Sequence, residues 1–376
     1  MKKRITITEI ALKADTSIAT VSRAINPQTA HLVKRSTRKR ILSIVKQAGF
    51  LPNPVAQRLA TGRSTHIVVF LGSRYDSIFY HDYYIKLISG VMEVLERSPY
   101  DLIVRMLKLK EVHCSVADQM RGMDIAGAIV CDFVGVLEAS LNGIEEFDTP
   151  LVVLNRVEKN PRASYVICDN LKSAYEATNY LLDLGHRRIA IIKGVSSEQD
   201  TIDRLDGYKK ALEQRSVSLR DEFIFSGSYA TETGVRAVRK FMRLKERPTA
   251  LFCTNDEIAI GAIEEMVRMG ISCPQEISVV GFDGIDAGRY FAPRLTTMRQ
   301  PIYEMAKRAA QIIINALQGK EDLGKTQVFD AQLWKGNSCA AVKRIIRGRK
   351  TIPWQNASGT LLAGEELLRD TISERR

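Results

Sequence analysis

On a helix, Ile18, Ala19, Ser22 and Arg23 would share one side, with Val21, Ala24 and Ile25 on the other. An arginine presented that way can grip guanine O6 and N7 through two parallel hydrogen bonds. Ile18 and Ala19 neither donate nor accept, so they would read DNA by shape and by contact with thymine methyl groups. Thr20 could touch phosphate instead. Elsewhere, the residue types that do covalent chemistry are badly spaced for it. The five histidines (31, 66, 81, 113 and 186) show no metal-ligand spacing, and the six cysteines form no Cys-x-x-Cys pair. No Gly-x-Ser-x-Gly elbow occurs, and no glycine loop is expected to cradle a phosphate for kinase or dinucleotide chemistry. The chain reads as a binder, with no enzymatic activity, cofactor or metal expected.

Three short helices would have to hold those side chains out. Thr6 and Glu9 have the spacing of a capping box, and Ile7, Ile10, Ala11 and Ala14 then form one apolar stripe. After a break at Asp15-Thr16, Ser17 can cap a second helix running to Ile25, which Asn26-Pro27 ends. A third helix over 35–48 turns Ile41, Ile44, Val45 and Ala48 inward and stops at Gly49. Three helices with a tight turn between the first two describe a helix-turn-helix. A generic three-helix bundle is the alternative.

Charge favours the former. The 376 residues carry a formal charge of +12; 45% are apolar and 26% charged, an ordinary globular balance. Residues 1–62 hold twelve Lys/Arg against Glu9 and Asp15, a net +10, and residues 341–376 add +4. The long stretch between is therefore slightly acidic. A basic head on a near-neutral body suits a polyanionic partner. No apolar run is long enough to span a membrane, and no hydrophobic export signal follows the basic start. Scattered cysteines fit a reducing, cytoplasmic setting.

The stretch ITITEIALKADTSIATVSRAIN resembles the helix-turn-helix of the LacI/GalR family of bacterial transcription regulators, with Thr20-Val21-Ser22-Arg23 and Asn26 at its signature positions. GFLPNPVAQRLATGRS is similar to that family's hinge, including Pro52, Asn53, Ala56 and Leu59. DLGHRRIAIIKG, RLDGYKKAL, CTNDEIAIGA, ISVVGFDG and LTTMRQP follow in the family's order, so the likeness covers most of the chain. One departure is Asp15-Thr16, where the family usually has Gly-Val; Asp tolerates a left-handed conformation better than most residues. The resemblance implies DNA contacts from Ser17, Ile18, Ala19, Thr20, Ser22, Arg23 and Asn26. Of the cluster Lys34, Arg35, Arg38, Lys39 and Arg40, some would face the DNA backbone and the others only solvent. Asn53 and Pro54 can start a helix of less than two turns, marginal in water. In the family two such hinges pair on DNA and each wedges a leucine into the minor groove; Leu59 matches that leucine, and Asn53 and Ala56 its neighbours.

From residue 67 onward, apolar β-branched runs alternate with amphipathic stretches. Strands are expected over 67–71, 102–106, 128–130, 151–154, 189–193, 223–226, 250–253 and 277–281, and helices over 83–97, 171–184, 202–214, 231–244, 256–269 and 302–318. That alternation argues for parallel sheets covered on both faces. The fold class expected is an α/β body of two Rossmann-like lobes, of the periplasmic-binding-protein type by resemblance, behind an all-α head. The first lobe would cover 65–167 with the helix after Pro301, the second 169–297 with the chain end near 326–340. In sequence order this makes a head (1–50), a hinge (51–62), a two-lobed effector-binding and dimerisation body (63–340) and an unassigned extension (341–376). In that extension Leu361, Leu368 and Ile372 share a helical face, which fits a coil or a frayed tail equally.

The same resemblance implies a small effector, a sugar by preference, in the crevice between the lobes. Arg204, Tyr229, Asn255 and Asp283 stand where the family has effector contacts; a structural ion pair closing the lobes is the alternative for Arg204 and Asp283. Tyr83 and Tyr84 could be aromatic pocket walls. They lie in His81-Asp82-Tyr83-Tyr84, where the family commonly has Asn-Pro-Phe-Phe, and the difference points to an atypical effector. The implied whole is a cytoplasmic homodimeric repressor on a palindromic double-stranded operator. The alternative is a ligand-binding protein without a regulatory role.

Overall fold

The computed structural model describes residues 5–26, 29–50, 64–72, 81–107, 116–132, 143, 147–157, 160 and 162–342. The head begins with the capping box: Glu9 N–H donates to Thr6 Oγ1 at 3.3 Å, and Thr6 N–H to Glu9 Oε2 at 2.7 Å. It starts α1 (Ile7–Lys13). Ser17 Oγ accepts from Thr20 N–H at 3.1 Å and starts α2 (Ile18–Ile25). Between them Asp15 adopts φ 44°, the left-handed conformation expected of it. Helix α3 (Arg35–Ala48) ends on left-handed Gly49, where Phe50 N–H reaches back to Val45 O at 3.0 Å. Ile10, Ala11, Ala14, Val21, Ala24, Ile41 and Phe50 close the head's own core. Ile44, Val45 and Ala48 pack at its edge, only partly buried.

Two six-stranded sheets make the body. The first has the order β11-β5-β4-β3-β1-β2 and is parallel throughout; it consists of β1 (His66–Gly72), β2 (Asp101–Leu107), β3 (Gly127–Asp132), β4 (Leu151–Leu154), β5 (Ala163–Cys168) and β11 (Thr326–Phe329). In β1, Ile67, Val69 and Leu71 turn to the face covered by α4 (Asp82–Leu95) and α11 (Ile302–Leu317). Val68 and Phe70 turn to the face covered by α5 (Val116–Arg121). A strand buried on both sides is apolar at nearly every position, and the run Ile67–Leu71 is unbroken.

The second sheet has the order β12-β10-β9-β8-β6-β7, from β6 (Ile189–Lys193), β7 (Ile224–Ser226), β8 (Ala250–Cys253), β9 (Ser278–Asp283), β10 (Thr296–Arg299) and β12 (Gln332–Trp334). Only β12 is antiparallel, against β10. Helices α6 (Asn170–Asp183) and α7 (Gln199–Gln214) cover one face, α8 (Thr231–Phe241) and α9 (Asp256–Arg268) the other. The chain passes between lobes three times, after β5, β10 and β11, each time from the C-terminal end of a strand. Those ends therefore line the crevice.

Two expectations need correction. The chain end does not belong to the second lobe alone: β11 pairs with β5 of the first sheet, and only β12 joins the second. Moreover, Gly319–Thr326 (GKEDLGKT) does fit Gly-x-x-x-x-Gly-Lys-Thr. It runs from the end of α11 into β11, the reverse of the strand-to-helix order that aims a helix N-terminus at phosphate. Strands β5, β10, β11 and β12 and helices α5 and α10 (Asp286–Tyr290) were not among the expected elements; most are short or polar. Among the described residues, no helix is long and apolar enough to cross a membrane, and no cluster could hold a metal ion.

Candidate functional site

Helix α2 buries Val21 and Ala24 against α1 and α3 and leaves Ile18, Ala19, Ser22 and Arg23 exposed together. Ser17 caps the helix, and its hydroxyl also meets the Thr20 hydroxyl at 2.9 Å. Thr20 is thus half-buried in the cap, at one edge of the exposed face. Asn26 closes the helix with its N–H on Ser22 O. Arg38 is half-buried and donates to Ala24 O at 3.3 Å, locking α3 to the end of α2. Lys34, Arg35, Lys39 and Arg40 are exposed. The first turn of α3 contains no acidic residue and has no capping side chain. The head therefore presents the exposed face of α2 beside a basic flank. Asn53, Ala56 and Leu59 lie outside the described residues.

The second candidate site is the crevice, centred on Arg204. Its side chain is 3% exposed, with the guanidinium 3.8 Å from the centre of the Phe282 ring. Nε donates to Asn170 Oδ1 at 2.9 Å, and one terminal nitrogen donates to Thr254 O at 2.6 Å. Asp200, one turn earlier on α7, and Asp283, at the end of β9, each stand 3.8 Å from the guanidinium. That exceeds a hydrogen bond, so both carboxylates attract Arg204 without saturating it. Burial pushes each carboxyl up to about 6, while Arg204 pulls it back. Asp283 has φ 107° and accepts from Gln300 at 2.7 Å. Beneath it, Asp256 accepts from the N–H groups of Gly284 and Ile285, both at 2.8 Å, and from Thr297 at 2.6 Å. Burial, then the charge of Asp283, pushes the Asp256 carboxyl up to about 8, against those three donors.

Tyr229 leans over Gly194, where any Cβ would strike its ring. Its hydroxyl meets Thr201 Oγ1 at 2.8 Å, and its carbonyl accepts from Asn255 Nδ2 at 2.9 Å. Asn255 also caps α9 through Oδ1, 2.9 Å from Ile258 N. Both ends of that amide are engaged, so Asn255 anchors Tyr229. Tyr83 comes from the first lobe, and its hydroxyl meets Asn155 Nδ2. Asn155 Oδ1 is buried without a hydrogen-bond partner among the described residues. Tyr84 departs from expectation: it is 4% exposed in the first lobe's core and donates to Gly72 O, so it is packing and not a pocket wall. Arg204, Tyr229, Asn255 and Asp283 are thus brought together, with Tyr83 from the opposite lobe. Sequence reasoning overlooked Asn155, Asn170, Asp200 and Asp256. Only Asp200 carried a local signal, its i,i+4 spacing to Arg204.

Comparison with known proteins follows this division. The lacI-family profile of bacterial regulatory proteins matches residues 6–53, and a periplasmic binding protein-like domain matches 178–339. The Probable HTH-type transcriptional repressor ExuR of Bacillus subtilis (strain 168) is 32% identical over 318 residues, covering 84% of this chain and 93% of that protein. Catabolite control protein A of Priestia megaterium is 30% identical over 313 residues, 82% of this chain and 91% of that protein. Among solved structures, the lac repressor dimer bound to operator and the anti-inducer ONPF has a TM-score of 0.77 at 23% identity, covering 90% of this chain and all of that one. A complex of the transcriptional regulator CelR with cellobiose has a TM-score of 0.67 at 23% identity, covering 89% and 100%.

Proposed function

The chain belongs to the lacI family of bacterial regulatory proteins, and on that premise we propose that it is a cytoplasmic homodimeric repressor, not an enzyme, which α2 directs to a palindromic operator and a small sugar releases or recruits. The observation that carries this reading is the exposed quartet Ile18, Ala19, Ser22 and Arg23 on a capped helix whose other face is buried. Arg23 reads one guanine per half-site; Ile18 and Ala19 select the neighbouring bases by methyl contact. Ser17, Thr20 and Asn26 flank the reading face and position it on phosphate. Asn53, Ala56 and Leu59 form the minor-groove hinge, carried over from the family resemblance alone. A two-fold dimer imposes its symmetry on the DNA, so the half-sites form a palindrome.

The effector takes the crevice. A polyol hydroxyl between Arg204 and Asp200 or Asp283 can accept from the guanidinium and donate to the carboxylate, which suits the 3.8 Å gaps. Tyr83 and Tyr229 supply the walls and Asn255 holds Tyr229. Support for a sugar comes from this chemistry and from the cellobiose complex of the structural neighbour. The effector acts only through different affinities for two arrangements of the lobes.

The test is operator titration by gel shift, with DNA from upstream of the chain's own gene, for wild type and for Ile18 and Ala19 variants. The variants should choose different sites in a binding-site selection while keeping non-specific affinity. Selection of unchanged sites would show that α2 is not the reader. Arg204→Ala and Asp283→Ala should keep operator affinity without effector and bind the effector ten- to a hundredfold more weakly, about 1.5–3 kcal/mol. Unchanged responses from folded variants would make both residues structural.

A further inference from the structure

The start of α4 reaches across the crevice mouth and grips the second lobe. His81, just before the helix, places Nδ1 2.9 Å from Glu257 Oε1 in the first turn of α9. Lys86 lies 2.5 Å from Asp82 within α4 and donates across the crevice to the carbonyl of Gly284 at 3.1 Å, with Asp286 Oδ1 at 3.8 Å. Asp82 Oδ2 accepts from the backbone N–H of Asp286 at 3.1 Å. That N–H is the first of α10 and has no acceptor within its own helix. Gly284 follows Asp283 directly, so these bonds end on the loop that carries a crevice carboxylate. The loop's bonds from Gly284 N–H and Ile285 N–H to Asp256 stay within the second lobe.

We infer that His81, Asp82 and Lys86 are positioning residues, an inter-lobe latch that holds the crevice closed and seats the Asp283 loop before any effector binds. His81, Asp82, Lys86 and Glu257 are only 18–28% exposed, so water screens these pairs less than it would on an open surface. Singly, each such pair is weak. Here Asp82 serves both Lys86 and the Asp286 N–H, while Lys86 serves both Asp82 and Gly284 O, so the bonds form and break together. A closed resting state means that an effector preferring closed lobes need supply less differential affinity, whereas one that opens them must first break the latch.

The Asp286 amide reports the latch without any effector or operator. In site-resolved hydrogen exchange on the full-length, ligand-free protein, Lys86→Met and Glu257→Gln should each speed exchange at Asp286 about fivefold. Neither substitution touches that amide. The amides of Gly284 and Ile285, held by Asp256, should keep their wild-type rates. Raising salt from about 0.1 to 1 M, which shortens the screening length from about 10 to 3 Å, should speed Asp286 alone in the wild type. Equal Asp286 rates in wild type and both variants would overturn the latch. So would equal acceleration of all three amides, which would mean that the second lobe itself had loosened.

Discussion

Arg23 makes no side-chain hydrogen bond or ion pair among the described residues, so its donors are available to a partner. Arg23→Ala should cost about 1–3 kcal/mol on the operator and relax preference at one base pair per half-site, read by binding-site selection. Arg204 is the opposite case, an arginine whose environment is complete enough to fix it before a ligand arrives. His186 shows how a conspicuous residue can be structural. It is 3% exposed, with Nδ1 3.0 Å from Thr249 Oγ1 and Nε2 3.1 Å from both Ser278 Oγ and Ala340 O, and it fastens the passing chain end to the second lobe. Burial lowers its pKa from 6.5, against the pull of the Ala340 carbonyl. A lowered histidine contributes stability above its unfolded value, and that contribution is lost as pH falls through the folded value. Asp200 and Asp283, raised from 3.8 to about 6, act the other way: their contribution is present below 3.8 and lost as pH rises through about 6. The difference between wild type and His186→Gln isolates the histidine. Thermal melts between about pH 7.5 and 5 should show wild type losing more stability than the variant.

Caps, turns and crossings decide the elements. Ser17→Ala removes the acceptor for Thr20 N–H and should cost about 1 kcal/mol in urea unfolding. Asp15 already sits in the left-handed region, so Asp15→Gly should hold or raise head stability, while the β-branched Asp15→Val should lower it by about 1–2 kcal/mol. In the second lobe, α6 and α7 approach so closely at Gly207 that a Cβ there would come under 3.0 Å from Leu171 O and the Ala174 methyl. Gly207→Ala must push the helices apart and should destabilise by about 1–3 kcal/mol in the same measurement. An unchanged midpoint would mean that the crossing relaxes freely.

For the whole molecule, charge and topology divide the labour. With +10 on residues 1–62, a chain starting at Ser64 should stay folded and lose both specific and non-specific DNA binding. The intact protein should lose affinity steeply with salt, with a log–log slope of about 0.9 per phosphate contact. A truncated body that still binds, or salt-insensitive binding, would place the interface elsewhere. Three crossings between the lobes, after β5, β10 and β11, are the connections about which the lobes can move against each other.

What the sequence determined by itself was local. Thr6-x-x-Glu9, Ser17 and Asp15 act within a few residues, so the caps, the turn and the exposed face of α2 were legible before any coordinates. Apolar runs such as Ile189–Ile192 and Ala250–Cys253 likewise marked buried parallel strands, because a strand covered on both faces is apolar at nearly every position. Tertiary structure alone decided partnerships between distant segments. It sent β11 to the first sheet, a pairing of backbone edges in a four-residue strand whose alternate exposure is not matched by the polarity of Thr-Gln-Val-Phe. It also turned Tyr84 into the core while Tyr83 reaches Asn155, since neighbouring side chains on one helix differ only by rotation about its axis. Much of the environment of Arg204 was hidden for the same reason, although the i,i+4 spacing of Asp200 and an ion pair with Asp283 could be read from the sequence. Asn170, Asp200, Thr254 and Asp283 come from separate elements, and only the folding of the second lobe onto the crevice brings their oxygens to one guanidinium.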